Sequence, residues 1–236
     1  MSSVVSPERF SSGMTFDEYV AYIGTPENLA REGSGGSVRR DLSAWFREAY
    51  EKTKLSDTQT EALKWLAAQP GGPAKVLVIS EDWSSDCRRD VPTFARIAEV
   101  TGMELRIFRR DGQKFGASQH PTLAEAPDSN ADLMAEFMNF KNGEYWQSIP
   151  VAAFYTKDLE LLYRYQEYPA IYDKDGIVTG HIRAPRPGET QQQTAERGAR
   201  EFAAFMESPF FAIWKSAAVD EIISGLHRRL VLGPSK

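Results

Sequence analysis

Cysteine and histidine are scarce in this sequence, and their scarcity excludes several kinds of fold and site. The 236 residues contain one cysteine, Cys87, and three histidines. A single cysteine cannot form an internal disulfide, so a disulfide-stapled fold is excluded and a cytoplasmic location is predicted. The histidines (His120, His181 and His227) lie far apart in the chain, which excludes a zinc site of the Cys–His type. We expect neither a metal nor a resident cofactor.

Long apolar runs and an excess of positive charge are also missing. No apolar run approaches the ~20 residues that a membrane-spanning helix needs, and the first residues lack the charged and apolar regions of a secretory signal. The formal net charge of −5 argues against nucleic acid as a partner. Hydrophobic residues make up 42% of the chain, which is enough for a packed core. The composition is therefore typical of a globular protein that binds neither membranes nor nucleic acid.

The most informative stretch is residues 75–93, KVLVISEDWSSDCRRDVPT. Its apolar run predicts a buried strand, and the caps at 84–86 precede a helical pattern from about Arg88 to Thr101. Cys87 then lies in the first turn of the helix. A helix N-terminus exposes free N–H groups and carries a partial positive charge, so it favours a thiolate or a bound anion. We therefore expect the active or binding site at this turn.

Two segments together resemble the thioredoxin superfamily. Residues 81–87, Glu-Asp-Trp-Ser-Ser-Asp-Cys, are similar to the Glu-Asp-Trp-Cys-Gly-Asp-Cys type of active site in bacterial thioredoxin-like proteins. Ser148-Ile149-Pro150, followed by the strand-like residues 151–155, matches the family's second site segment. The resemblance implies an α/β thioredoxin-like fold, with a central mixed sheet flanked by helices. It also implies a cis peptide bond before Pro150, which would lie against the active-site turn.

The sequence departs from the family pattern at the attacking cysteine, whose position is occupied by Ser84. A dithiol–disulfide cycle within one chain needs two sulfurs, so ordinary thioredoxin turnover is excluded. Two functions remain open. The first is a thiol–disulfide oxidoreductase that forms a mixed disulfide through Cys87 with a protein or a small thiol such as glutathione. The second is a redox-inactive binding module for a peptide, a small ligand or a protein partner.

The catalytic candidates Cys87, Ser84 and Asp82 each have two interpretations. Cys87 is either a redox-active thiol or a small buried packing residue. Ser84 either caps the helix or, with its neighbour Ser85, offers a hydroxyl to a ligand. Asp82 either moves protons for the thiol or pairs with the arginines at positions 88 and 89.

The remaining binding candidates frame the same turn. Asp86 either caps the helix or contributes to binding, and Trp83 supplies an apolar contact beside the site. Pro150 is structural in either case. Its neighbour Ile149 would present its backbone N–H and C=O groups to an extended peptide, a form of recognition that needs no sulfur chemistry.

Helices are predicted on both sides of the thioredoxin-like region. Residues 1–73 are expected to form an N-terminal helical extension, 74–183 the thioredoxin-like core, and 184–236 a C-terminal helical extension, all within one compact domain. Within the first segment, residues 1–14 are predicted to be unstructured and 31–37 to form a flexible loop.

Inside these segments, a long loop is predicted over 111–130, and a loop of that length is usually functional or mobile. The many aromatic residues of the terminal helices would permit a homodimer. The other predicted elements are helices that begin near residues 15–17, 41, 56, 130–132, 190 and 210, and strands at 103–108, 151–155 and 159–165.

Overall fold

The computed structural model describes residues 3–233. The helices are α1 (Pro7–Ser11), α2 (Phe16–Ile23), α3 (Pro26–Leu29), α4 (Ser43–Lys52), α5 (Asp57–Ala67), α6 (Ser85–Thr101), α7 (Ala131–Glu136), α8 (Gln191–Met206) and α9 (Pro209–Leu232). The strands are β1 (Lys75–Ser80), β2 (Glu104–Arg109), β3 (Asn139–Lys141), β4 (Glu144–Trp146), β5 (Val151–Tyr155) and β6 (Leu161–Gln166). A 3-10 turn covers Ser34–Gly36, and a π-helical segment covers Asp175–Ile182. Within the described residues, no helix is both long and apolar enough to cross a membrane.

The central sheet has four strands in the order β2-β1-β5-β6. β1 runs parallel to β2, with α6 between them in the chain, whereas β5 is antiparallel to both β1 and β6. All of β5 is buried, and so is every residue of β1 after Lys75, as expected for apolar strands covered on both faces. The predicted mixed sheet and the predicted hairpin of β5 and β6 are confirmed.

The register of the sheet defines where a site can form. Ile79 pairs with Val151, and Ser80 pairs with Arg109. The carboxyl ends of β1 and β2 therefore meet the start of β5 at one edge. Ligand sites in open α/β sheets commonly lie at the carboxyl ends of the parallel strands, so a binding site is expected at this edge.

Helices α4 and α5 pack on α6, and α2 packs on α4. Thr15 and Ser56 close capping boxes at the starts of α2 and α5, each worth about 1 kcal/mol as a cap. The N-terminal helical extension is thus part of the fold around α6.

The expectation that residues 1–14 are unstructured is wrong for residues 3–14; residues 1 and 2 lie outside the described part of the chain. Ser6 caps α1, with Pro7 at its first position, an arrangement that starts helices readily. Phe10 is fully buried. Met14 exchanges two backbone hydrogen bonds with Ile107, of 2.9 and 2.7 Å, and so covers part of the open edge of β2.

The small hairpin of β3 and β4 was not predicted. Asn142 and Gly143 connect its strands with φ values of 55° and 83°. Asn-Gly is the commonest pair in two-residue hairpin turns that need positive φ at both positions. The sequence signal was therefore present.

The chain divides into two compact units, of which one combines the residues up to 167 with those from 222 onward and the other is Tyr168–Glu221. These units do not coincide with the predicted segments 1–73, 74–183 and 184–236. In the second unit, Tyr172 and Trp214 stack at 3.7 Å between ring centroids, and Phe202 and Phe205 pack around them. The aromatic residues of this unit thus form a core of its own.

Candidate functional site

The turn between β1 and α6 begins the helix as predicted. Ser84 is the N-cap of α6, and its hydroxyl accepts a hydrogen bond from the backbone N–H of Cys87 at 3.4 Å. Ser85 is the first helical residue and is half-buried. Ser84 is only 7% exposed, so its hydroxyl serves the helix more than the surface.

The peptide bond between Ile149 and Pro150 is cis, as predicted. The β1–β5 register places Pro150 just past the Ile79–Val151 pair, beside the end of β1. The carbonyl of Pro150 accepts from the Glu167 N–H at 2.8 Å. The Glu167 carbonyl accepts from Arg89 Nη2 at 2.9 Å. A single residue therefore joins the proline segment to the first turns of α6.

Cys87 is fully buried. Burial raises the pKa of its thiol to about 12, although hydrogen bonds from Ser80, from the Glu81 backbone and from Ser84 act in the opposite direction. On the far side, the Ser80 hydroxyl lies 3.0 Å from the hydroxyl of Tyr19, a buried residue of α2. Of the two interpretations of Cys87, the burial favours a small packing residue, because desolvation disfavours the thiolate more than these hydrogen bonds favour it.

Glu81 is held by two arginines from the N-terminal extension. Arg31 and Arg39 each donate to a different carboxylate oxygen at 2.7 Å, and the N–H of Asp111 donates to it at 2.8 Å. Its side chain is 1% exposed. A buried carboxylate is stable only when its charge and lone pairs are satisfied, and here they are.

Asp82 is bound in the same network. Arg39 donates to one carboxylate oxygen, and the Asn28 side-chain amide donates to the other at 3.3 Å. Burial raises the pKa of Asp82, and the charge of Arg39 opposes that shift. The predicted pairing of Asp82 with Arg88 or Arg89 is therefore wrong.

The predicted flexible loop over 31–37 begins with one of the best-fixed side chains in the site. Arg31 is 2% exposed and donates to the carbonyls of Asp111 and Gly112 at 2.6 and 2.9 Å as well as to Glu81. Asn28, Arg31 and Arg39 were not predicted as site residues. Nothing local in the sequence marks them, because their role depends on contacts with residues about 40 to 80 positions away.

Asp86 pairs with Arg89 instead of capping the helix. Arg89 donates to Asp86 at 3.0 Å and to both oxygens of Asp90 at 2.7 and 2.6 Å. The Tyr165 hydroxyl donates to Asp90 at 2.9 Å. Burial raises the pKa of Asp90, while Arg89 and Tyr165 oppose the shift. This second buried network fixes α6 against β6.

Trp83 is half-buried and contacts the long loop over 111–130. Its ring lies 5.5 Å from that of Phe115, and the Arg110 guanidinium lies 5.2 and 5.1 Å from the two ring centroids. The indole Nε1 is buried and has no hydrogen-bond partner within residues 3–233. A cavity of about 170 Å³ lies beneath the loop, lined by Arg110, Phe115, Ser118, Thr122, Glu125 and Gln147 among others.

Comparison with known families agrees with this geometry. The model of a thioredoxin family matches residues 39–127, which include β1, the turn, α6 and β2. Residues 39–127 of this chain are therefore assigned to a thioredoxin-like domain.

Two solved structures are similar to this thioredoxin-like chain over nearly its whole length. A protein of unknown function from Pseudomonas aeruginosa is 18% identical, with a TM-score of 0.49, and an HIV epitope-scaffold is 17% identical, with a TM-score of 0.50. Each alignment covers 96% of this chain and 98% of the other. The likeness to the epitope-scaffold concerns the fold alone. No curated protein matches the chain.

Six of the eight predicted residues lie at the turn between β1 and α6, and the β1–β5 register places Ile149 and Pro150 beside the end of β1. The site places Trp83 and Ser85 where a ligand can reach them, and it buries Ser84, Asp86, Cys87, Ile149 and Pro150. The carboxylates of Glu81 and Asp82 are committed to arginines. Such a site offers non-covalent contacts more readily than an accessible nucleophile.

Proposed function

We propose that this protein is a redox-inactive, thioredoxin-like binding module that holds an extended peptide or a small ligand beside the Trp83 turn. The observation that carries the proposal is the complete burial of its only cysteine, Cys87. With a pKa of about 12, on the order of one molecule in 10⁵ carries a thiolate at pH 7. Thiol–disulfide exchange requires the thiolate and access to it.

The serine at the attacking position does not replace the missing sulfur. Ser84 accepts a hydrogen bond from the Cys87 N–H, and its burial restricts its reach. Asp82, the nearest candidate base in the motif, is bound by Arg39 and Asn28. A hydroxyl without an activating base is a poor nucleophile, so covalent catalysis through Ser84 is disfavoured.

The proline segment supports a peptide-binding role. The backbone N–H and C=O groups of Ile149 make no hydrogen bond within residues 3–233, whereas the flanking carbonyls of Ser148 and Pro150 are both paired. Unpaired backbone groups beside a sheet can be satisfied by an added extended chain. Titration of short unfolded peptides into ¹⁵N-labelled protein should shift the amide signals of Trp83, Ser85 and Ile149.

Alkylation of Cys87 tests the redox-inactive assignment. In the native protein the thiol should resist iodoacetamide at pH 7 and 8, and it should react fully after denaturation in guanidinium chloride. Alkylation of the native protein at the rate of a free thiol would rule the proposal out.

A gain-of-function variant tests whether the architecture is otherwise complete. Ser84→Cys should acquire insulin-disulfide reductase activity, because it restores a second sulfur at the turn. The matched control, Ser85→Cys, places a thiol one residue away, outside the spacing of the motif. Equal activity in the two variants would show that any thiol near the turn suffices and would remove the support from this architecture.

A second candidate, a single-cysteine oxidoreductase, is favoured by the hydrogen bonds that Ser80, the Glu81 backbone and Ser84 direct to the Cys87 sulfur. If the turn opened, these groups would stabilise a thiolate, and glutathione or another small thiol could resolve a mixed disulfide with it. In that case the wild-type protein itself should show reductase activity with glutathione. Cytoplasmic residence and a homodimer through the terminal helices stay proposals, and the dimer is tested by light-scattering mass measurement.

A further inference from the structure

Arg88 differs from Arg31, Arg39 and Arg89 because no acid pairs with it within the described residues. It lies in α6, one helical turn after Ser84, and is half-buried. Its guanidinium makes no hydrogen bond and no ion pair with any residue in the described range 3–233, and its Nε is buried without an acceptor. A buried charged donor without a partner is costly and calls for an explanation, such as a ligand that supplies the acceptor.

The comparison with other arginines makes this exception sharper. Three further arginines have a buried Nε without an acceptor, namely Arg9, Arg96 and Arg106. Each of them reaches a carboxylate through another guanidinium nitrogen, on Asp132, Glu99 and Glu104 respectively. Arg88 alone among the four has no carboxylate in its place within the described residues.

A second arginine without an acid lies next to it. Arg40 follows Arg39, whose guanidinium is fixed on Asp82, and Arg40 itself is exposed and makes no ion pair within residues 3–233. Burial lowers the pKa of Arg88, and the charge of Arg40 lowers it further. The two cations are therefore close enough to repel each other.

The nearby carboxylates do not relieve this repulsion. Asp82 and Asp86 both act on the charge of Arg88, but Asp82 is bound by Arg39 and Asp86 by Arg89. Two positive charges are left at this surface, because Asp82 and Asp86 already have their own arginine partners. A site of this kind attracts an anion with more than one charged oxygen.

Trp45 in α4 positions the guanidinium of Arg88, which lies 5.9 Å from the centroid of the indole ring. Stacking on an aromatic face immobilises an arginine and leaves the edge of its planar fork free for an oxyanion. Trp45 itself is 39% exposed, so this surface is open to solvent.

We propose that Arg40 and Arg88 form an oxyanion site that binds the phosphoryl group of the ligand held at the Trp83 turn. This inference rests on the proposed binding function and deepens it by naming the chemical class of the ligand. The planar guanidinium fork matches phosphate oxygens two at a time, and the paired charges favour a dianion over a monoanion.

Titration with inorganic phosphate at constant ionic strength tests the site directly. The Nε–H signal of Arg88 in a ¹⁵N–¹H spectrum should shift and saturate, since phosphate supplies the missing acceptor. Arg88→Gln and Arg40→Gln should each weaken phosphate binding by about tenfold or more. The affinity of each variant is measured from the change in the fluorescence of Trp45 and Trp83. Arg200→Gln, which removes an exposed arginine of α8, should leave the affinity unchanged.

Titrations with other anions and with a lysine variant distinguish a specific site from general ionic attraction. Acetate and chloride at equal ionic strength should bind at least about tenfold more weakly than phosphate, because each carries a single charge. Equal binding of acetate, or equal loss of affinity in Arg200→Gln, would overturn the proposal. Arg88→Lys keeps the charge but not the fork, so a loss of phosphate binding in that folded variant, checked by circular dichroism, supports recognition by the guanidinium.

The oxyanion site and the proposed function can fail separately. A reactive native Cys87 would refute the redox-inactive assignment and leave the phosphate titration unaffected. An unreactive Cys87 with no saturable response of Arg88 to phosphate would refute the oxyanion site alone.

Discussion

Two pairs of arginines near the turn between β1 and α6 contrast with each other. Arg31 and Arg39 are buried and hydrogen-bonded to Glu81 and the groups around it. Arg40 and Arg88 have no acid of their own within the described residues. The first pair stabilises the structure of the turn, whereas the second pair has unpaired positive charge that an external anion could bind.

The difference changes how the motif is interpreted. Glu81 and Asp82 begin the segment that resembles a thioredoxin-like active site, yet arginines of the N-terminal extension bind both carboxylates. The groups available for interaction are Trp83 and Ser85 within the motif and Arg40 and Arg88 outside it. Resemblance in a motif therefore identifies the turn, but it does not show which of its groups are free.

The largest effect on stability is predicted for the replacement of Arg39, in contrast with its neighbour Arg40. Arg39→Ala should lower the free energy of unfolding by about 3–5 kcal/mol, because it leaves Glu81 and Asp82 buried with less of their neutralising charge. Arg40→Ala, one residue away and exposed, should change it by less than about 0.5 kcal/mol. Guanidinium chloride denaturation measures both. Similar losses in the two variants would remove the distinction between the pairs.

A smaller loss is expected in the network around Arg89. Tyr165→Phe removes the hydroxyl that donates to the buried Asp90, and a hydrogen bond to a charged group is worth about 1.5–3 kcal/mol. Tyr19→Phe removes a bond between neutral hydroxyls, to Ser80, and should cost about 0.5–1.5 kcal/mol. A larger cost for Tyr19→Phe in urea denaturation would contradict the view that the charged network dominates.

The buried thiol should make stability fall at high pH. The folded pKa of Cys87 is about 12, above the unfolded value of about 8.5. The unfolded chain therefore loses its thiol proton first. This contribution is fully present below about pH 8.5 and is lost as the pH rises toward 12, by about 1.4 kcal/mol per pH unit at most.

The comparison of the wild type with Cys87→Ala separates the contribution of the thiol from those of the lysines and tyrosines, which also titrate at high pH. The free energy of unfolding, measured between pH 8 and pH 10.5, should decline more steeply in the wild type than in the variant. Parallel curves would mean that the thiol titrates normally and that the sulfur is accessible.

Arg88→Gln should have the smallest effect on stability. The side chain gives up hydration without gaining an acid, so its replacement should change the free energy of unfolding by no more than about ±0.5 kcal/mol. A loss as large as that of Arg39→Ala would place Arg88 in the structural pair and weaken the case for the oxyanion site.

Much of the fold could be predicted because its signals are local. Ser56 and Thr190 cap helices as their positions in the sequence predict, since a cap depends on residues within one turn. The order of strands around α6 followed from the apolar runs. The β3–β4 hairpin is not among the predicted elements, although its turn residues, Asn142-Gly143, are a local sequence signal for it.

The site could be predicted only in part. The motif located Ser84, Cys87 and the cis bond before Pro150, but the partners of Asp82 were assigned to arginines nearby in sequence. Its actual partners, Arg39 and Asn28, come from the N-terminal extension. Pairing between residues distant in sequence depends on how helices pack, and periodicity and composition carry no information on it.

The sequence alone determined that one sulfur lies at the start of a helix that follows a buried strand, because strand, cap and helix are set by interactions within a few residues. Tertiary structure decided that this sulfur is buried and that Glu81 and Asp82 are paired with arginines. It also decided that Arg88 has no acidic partner within the described residues. The reason is that burial and charge pairing are properties of the space between elements, where residues far apart in the chain exclude water from one another.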